Sequence, residues 1–262
     1  MVSVRCLALA LCVLGRAAGA QIPVGSSSPP APASLGAPLV APDSSAVFVA
    51  PNGALLRPGT FVYDLSLVRT ALPPIPLGQR TVQVTDAAVA GVPGWLIAES
   101  RSGSAVPTSD SVWVTRADLS PERWVATVDH TQLGASFTHD SVYGAVQSYR
   151  GRSSFAIALP AGALLTGGMV DQVLAMLPLQ SGYRASASLL MIEPGAPRSL
   201  PAELVVEREE RVRVGSGDAD CWVVLLRAGV MEERLWVTRD APHVVRTQQV
   251  VASGLLTAEL RP

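Results

Sequence analysis

The chain has 262 residues, enough for one large domain or two small ones with a core that needs no cross-links. Its 20 basic and 21 acidic residues leave a formal charge of −1, which gives no reason to expect nucleic acid or an anionic membrane surface as a partner. A hydrophobic fraction of 48% with 16% charged residues excludes a disordered chain and points to more apolar surface than an ordinary core uses.

Arg5 precedes a short apolar run from Cys6 to Leu14, and Ala18-Gly19-Ala20 forms a small-x-small cleavage pattern that leaves Gln21 as the new N-terminus. The run is too short to cross a bilayer, which takes roughly 20 residues, and no later segment is long and apolar enough. Residues 1–20 therefore read as a signal peptide, with an N-terminal anchor as the alternative. The expected address is the periplasm, or the exterior where the source has no outer membrane. Cys6 follows Arg5 and Cys12 follows Leu11, so neither has the small preceding residue of a lipobox, and both leave with the signal. Cys221, in the run Cys221-Trp222-Val223-Val224-Leu225-Leu226, is then an inert thiol in a core strand. That run is apolar on both faces, so something should cover it on each side. Residues 21–58 are rich in Pro, Ala, Ser and Gly and read as a flexible tether, with Val47-Phe48-Val49 as a short edge strand.

The folded domain is expected over 59–262. Phe61, Tyr63, Leu65 and Leu67 alternate with polar residues, the period of a half-buried strand over 60–70. A Pro/Gly turn over 73–78 follows, then strands over 81–85, 95–102, 109–115, 123–130, 141–148 and 154–159. Met169, Val170, Val173, Leu174 and Leu177 instead follow helical spacing, after Thr166-Gly167-Gly168 and before Pro178, which predicts one helix over 169–177. Strands resume over 202–214, 221–227, 231–238, 244–251 and 255–260. In the first of these Leu204, Val206, Val212 and Val214 share one face, and Glu203, Glu207, Glu209, Arg211 and Arg213 form a solvated one. The fold class is thus mainly β, a bent antiparallel sheet with one covering helix. Val112-Trp113-Val114-Thr115-Arg116 and Leu235-Trp236-Val237-Thr238-Arg239 each lead into an Asp/Pro turn and a returning strand, a weak internal echo.

Nucleophile-elbow, Cys-x-x-Cys, phosphate-loop and dinucleotide motifs are absent from the sequence. The one polar constellation is Asp129-His130 with His139-Asp140. A hairpin through 131–138 would set His130 opposite His139 and give a site for zinc or a similar ion, whereas a one-residue slip would separate them. The plainer expectation is a polar hairpin tip with no metal. His243, beside Pro242 in a turn, is expected at the surface.

The stretch Val212-Arg213-Val214-Gly215, Gly217, Cys221-Trp222-Val223-Val224, Leu235-Trp236-Val237, Asp240 and Glu259-Leu260 resembles a bacterial family of periplasmic proteins of unknown function. Those are similar to the outer-membrane lipoprotein-sorting proteins. The resemblance implies an open half-barrel whose concave apolar face holds acyl chains under helical lids, with the helix over 169–177 in the lid role. Where those carriers have several covering helices, this chain offers one. The residues expected to line a lipid site are Met169, Val170, Val173, Leu174 and Leu177 on the helix, with Trp113 and Trp236 on the strands. The leading expectation is a non-enzymatic envelope protein that binds a lipid, a lipidated partner or another apolar ligand, without a cofactor. The alternative is a structural module with a filled core that recruits an envelope protein through an edge strand.

Overall fold

A computed structural model of the protein describes residues 48–103, 108–160, 163–165, 168–192 and 197–261. The expected signal peptide lies outside these residues, as do positions 21–47 of the tether and Thr166 and Gly167 before the helix.

Alternating apolar residues build one sheet of 15 strands. In chain order they are β1 (Gly59–Arg69), β2 (Leu72–Val89), β3 (Val92–Ser102), β4 (Thr108–Thr115), β5 (Pro121–Val128), β6 (Thr131–Phe137), β7 (Ser141–Ser148), β8 (Gly151–Ala158) and β9 (Ala163–Leu165). The helix α1 (Gly168–Ala175) follows, then β10 (Arg184–Met191), β11 (Arg198–Val214), β12 (Gly217–Ala228), β13 (Met231–Thr238), β14 (Val244–Val251) and β15 (Gly254–Leu260). The order across the sheet is β8-β7-β6-β5-β4-β3-β2-β1-β15-β14-β13-β12-β11-β10-β9. Neighbours are antiparallel except β9 and β10, which run parallel. The chain thus meanders outward from the middle to one edge, resumes at the opposite edge as β9, passes through α1, and meanders back until β15 pairs with β1. The mainly β, bent antiparallel sheet with a single helix is the expected fold class.

The inner face carries the main core. Tyr63, Val82, Val84, Ile97, Val112, Val114, Val142, Leu204, Val224, Leu226 and Leu235 are all nearly inaccessible. The Tyr63 hydroxyl donates to the Val244 carbonyl at 2.8 Å, so a buried polar group of β1 is satisfied two strands away. The helix α1 lies in the concavity against β3, β9, β13 and β14. It runs from Gly168 to Ala175, two residues short of the expected end at its C-terminus, and Leu177 continues the buried run. A helix apolar on nearly every side must be enclosed on nearly every side.

The packed domain begins before Gly59. Asn52 and Gly53 lead into a single 3₁₀ turn, Gly53–Leu55, whose flank Leu56 is only 2% exposed. The Asn52 amide donates to the Met176 carbonyl at 2.9 Å, closing one of the free carbonyls after α1, and Trp95 Nε1 donates to the Gly53 carbonyl at 3.3 Å. Residues 51–58 therefore belong to the fold and not to the tether. Phe48 and Val49 form no strand, and Val47 lies outside the described residues.

Three sequence expectations change for physical reasons. Residues 73–78 do not turn; they extend β2 along β1, past a register shift between Leu65 and Ser66. The β2–β3 pairing begins only at Gln79 opposite Ser102, so among the described residues this stretch of β2 pairs on one side, and prolines without an N–H are tolerated on the other. Gly78 makes the bend there with φ at +114°, and a Cβ on it would meet the Ser102 carbonyl oxygen at 2.0 Å. In β11, a bulge between Val206 and Arg208 reverses the side-chain phase. Leu204 and Val206 face the main core, whereas Val212 joins Cys221, Val223, Trp236 and Val245 in a second cluster on the opposite face. The β11–β12 hairpin thus folds over the outer side of the sheet, which explains why Cys221 to Leu226 is apolar on both faces. Finally, β9 and β10 add an edge where no strand was expected.

Leu174 is fully buried in the last turn of α1. Leu174→Ala is expected to lower stability by about 2–5 kcal/mol, read as a shift in the urea midpoint.

Candidate functional site

The inward rows of several strands end in charged residues. Arg80 shares a face with Val82 and Val84 in β2; Glu99 and Arg101 share one with Trp95 and Ile97 in β3. Asp110 continues the row of Val112 and Val114 in β4, and Glu233 that of Leu235 and Val237 in β13. From α1, Asp171 enters the same region, 3% exposed, beside Gln172 at 1%. Arg80 holds the group together. Its Nε donates to Glu99 at 2.9 Å and its Nη2 lies 2.7 Å from Asp171, while its guanidinium sits 5.4 Å from the centre of the Tyr63 ring. Arg101 Nε reaches the other Glu99 oxygen at 2.8 Å.

Burial and pairing push these groups in different directions. Burial raises the Glu99 carboxyl, but Arg80 and Arg101 outweigh it, and Glu99 stays below the usual carboxylate range. Burial also raises Asp171, against the pull of Arg80, and here burial prevails. Among the described residues, Asp110 and Glu233 form no ion pair. Burial lifts both, helped by the charge of Glu99 at Asp110 and of Asp171 at Glu233, and Glu233 reaches about 7. Both side chains are only half-buried by exposed surface, which tempers the burial contribution. Tyr63 is raised by burial and by Asp171, so the phenol stays neutral.

The echo noticed in the sequence is a structural repeat. The same offset in the chain separates Asp110 from Glu233, Trp113 from Trp236, Thr115 from Thr238 and Arg123 from Arg246. Each Trp is followed by a register shift, between Trp113 and Val114 and between Trp236 and Val237. In each turn the backbone closes in the same way, with the Thr115 amide donating to Ser120 and the Thr238 amide to His243. An arginine of the returning strand covers each Trp, Arg123 at 5.0 Å and Arg246 at 5.4 Å. An arginine of the turn covers a Trp one strand back, Arg116 over Trp95 at 4.0 Å and Arg239 over Trp222 at 4.6 Å. The segments β3-β4-β5 and β12-β13-β14 are therefore like units in the two halves of the sheet. Asp110 and Glu233 are their matching carboxylates.

Of the residues expected to line a lipid site, the five on or beside α1 come together. Met169, Val170, Val173, Leu174 and Leu177 are each at most 5% exposed and belong to the main core. Trp113 and Trp236 do not join them. Val112 and Val114 point inward, so Trp113 points outward, and Trp236 belongs to the second cluster on the outer face. The two histidine-aspartate pairs do not converge either. The segment between them is not a hairpin loop but β6, paired to β5 on one side and β7 on the other. His130 and His139 sit at its opposite ends, about 30 Å apart along the strand. His130 is 91% exposed. Asp140 instead accepts from Thr138 at 3.1 Å and Ser141 at 3.0 Å in its own turn. Among the described residues, no group of three or more His, Cys, Asp or Glu is arranged to hold a metal ion. His243 is half-buried, not at the surface, with Nδ1 2.9 Å from Thr238 Oγ1. Cys221 is fully buried, and burial pushes its thiol up to about 11. The charges of the solvated β11 face are paired across strands, as in Arg234–Glu207 at 2.9 Å and Arg239–Glu209 at 2.6 Å.

Fold and interior together define a class: an open, barrel-like antiparallel sheet wrapped around one internal helix and a buried ion-pair cluster. Within that class the chain belongs to DUF3108, a family described as protein of unknown function, which matches residues 62–261. The fold is shared with a crystal structure of a β-barrel-like protein of the domain of unknown function DUF1849 from Brucella abortus. The two are 10% identical, with a TM-score of 0.52 over 82% of this chain and 97% of that one. No curated protein matches the chain.

Removing Arg80 leaves Glu99 and Asp171 facing one another without their shared cation. Arg80→Ala is expected to cost about 3–5 kcal/mol in urea unfolding, more than Arg101→Ala, whose side chain is partly exposed.

Proposed function

We propose that the protein is an exported, non-enzymatic component of the cell envelope whose interior takes up a lipid or another apolar ligand in exchange for α1. The observation that carries this reading is the position of α1. It is an apolar helix inside the concavity of the sheet, and it makes no strand pairing of its own. Among the described residues the two sheet edges, β8 and β9, do not pair with each other, which favours an interior reachable without breaking a strand ladder. The residues that α1 buries, from Met169 to Leu177, offer the same apolar surface that an acyl chain would. Binding and not catalysis fits a cluster whose strongest members are engaged with one another. Export rests on the N-terminal pattern, Arg5 before the apolar run and Ala18-Gly19-Ala20 after it. The resemblance to lipoprotein-sorting carriers supports the ligand class.

The test is native mass spectrometry of the mature domain purified from its own envelope, with solvent extraction of the same sample and titration with a fluorescent fatty acid. An extra mass that extracts as lipid, with saturable fatty-acid binding, is the expected result. Leu174→Ala weakens the apolar packing that seats α1, and uptake should rise at least about tenfold. A clean apo mass with no fatty-acid binding by either protein would sink the reading.

A second reading has its own observation. The core is filled by α1, and β8, Gly151–Ala158, ends the sheet with most side chains exposed and, among the described residues, one backbone edge unpaired. Such an edge can accept a strand from a protein partner. Recovery of one stoichiometric envelope protein, with no lipid, would favour it.

A further inference from the structure

We propose that the β1–β2 hairpin is a membrane-docking arm, in which residues 71–76 enter the interface of an anionic lipid bilayer and Arg69 sits at its phosphates. Ala71, Leu72, Pro73, Pro74, Ile75 and Pro76 are consecutive, apolar and exposed, Leu72 at 56% and Ile75 at 39%. A surface that meets only solvent avoids apolar runs of that length. No charged residue occurs over 70–79. Among the described residues the arm pairs with β1 alone, Ile75 opposite Leu67 and Leu72 opposite Arg69. Its three prolines stiffen it, so little conformational freedom is lost on docking. They also bring no N–H to be stranded where water is excluded, and they prevent a partner strand from pairing along this side. A lipid surface therefore suits the arm better than strand addition does.

The neighbouring hairpins extend this surface. In the order β2-β1-β15-β14-β13-β12 three hairpins are successive, so their tips share one end of the sheet. Val230 at the β12–β13 tip is 77% exposed, and Val250 beside the β14–β15 turn is 52% exposed. Val250 lies opposite Leu255 and Leu255 opposite Val68, one apolar row across three strands that reaches the base of the arm. The Arg69 stem lies against the β14–β15 turn, where a Cβ on Gly254 would come 3.3 Å from its Cγ. Its exposed guanidinium forms no ion pair among the described residues. An apolar tip with a guanidinium at its base fits a headgroup layer, since the stem stays at the acyl boundary while the head reaches phosphate. At the same end, Asp129 of the β5–β6 turn is offset by Arg150 of the next hairpin. The turns at the other end instead present Asp118, Asp140 and Asp240, all exposed. The near-zero net charge of the chain hides this separation.

This surface is apart from the space around α1, so docking can hold or fail whether or not the interior takes a ligand. The measurement is co-flotation of the mature protein with phosphatidylcholine vesicles, with and without phosphatidylglycerol. Binding should be tighter on the anionic vesicles, and Arg69→Gln should weaken that binding about fivefold. Leu72→Ser with Ile75→Ser should weaken binding to both at least about tenfold. Neither residue belongs to a core cluster, so the urea midpoint of this double variant should be unchanged. Cys221 is buried, so a cysteine introduced by Ala71→Cys can be labelled alone with an environment-sensitive dye. Its emission should rise on vesicles, whereas a label at Val92→Cys, in the hairpin turn at the other end of β2, should not respond. No vesicle binding by the wild type overturns the proposal and leaves the arm to a protein partner. So do equal responses of the two labels, or binding that the double variant leaves unchanged.

Discussion

A guanidinium with almost no access to water must be met by acceptors from inside the protein, and Arg80 imposes that condition on its surroundings. Its fork is answered by Glu99 from the neighbouring strand and Asp171 from α1, so sheet and helix are tied through one side chain. The position of α1 follows, because a helix placed elsewhere would leave Arg80 short of a partner and Asp171 without a cation. The Tyr63 ring beside Arg80 and its hydroxyl on Val244 carry the same constraint into the middle of the sheet. Hydrophobic burial explains why the helix goes inside. The ion pair fixes where along the concavity it stops, a role better attested for buried polar groups than net stabilisation.

The two like units recur at matching places in the two halves of the sheet. A bulge after Trp113 and another after Trp236 add twist at matching places, and an arginine covers each indole from the returning strand. The bulge in β11 bends the long hairpin over the outer side, where Val212, Cys221 and Val223 pack under Trp236. Trp113 and Trp236 lie on the outer side of the sheet, Trp236 buried there in the second cluster, and neither reaches the interior.

Much of the fold was legible because one face of nearly every strand is buried, and alternation reports that directly. Tyr63, Leu65 and Leu67, or Val82 and Val84, behave as their spacing says. Phase was legible only until a bulge: Val212 and Val214 have the parity of Leu204 but lie on the other face. The short edge strand β9 has three residues and no period to read. The ion-pair cluster was not read from the sequence. Arg80, Glu99, Asp110 and Glu233 each extend an inward row by one more step, and a charge at the end of such a row is ordinarily taken as the start of a solvated turn. Asp171 was masked by its apolar neighbours in the helix. Trp113 and Trp236 misled for the opposite reason, since a large aromatic in an apolar strand is as well suited to an arginine-capped outer face as to a ligand site.

The pairing of β1 with β15 sets how this chain can fold. The strands that meet at the middle of the sheet are the first and the last in the sequence, with Tyr63 opposite Leu260 and Leu67 opposite Leu256. Each half can form from local hairpins, but the joint between them closes one of the longest loops available to the domain. Such long-range closure is entropically slow and comes late. A chain delivered from its N-terminus therefore holds two unsealed half-sheets until Gly254–Leu260 arrives, and only then does the interior around Arg80 become dry.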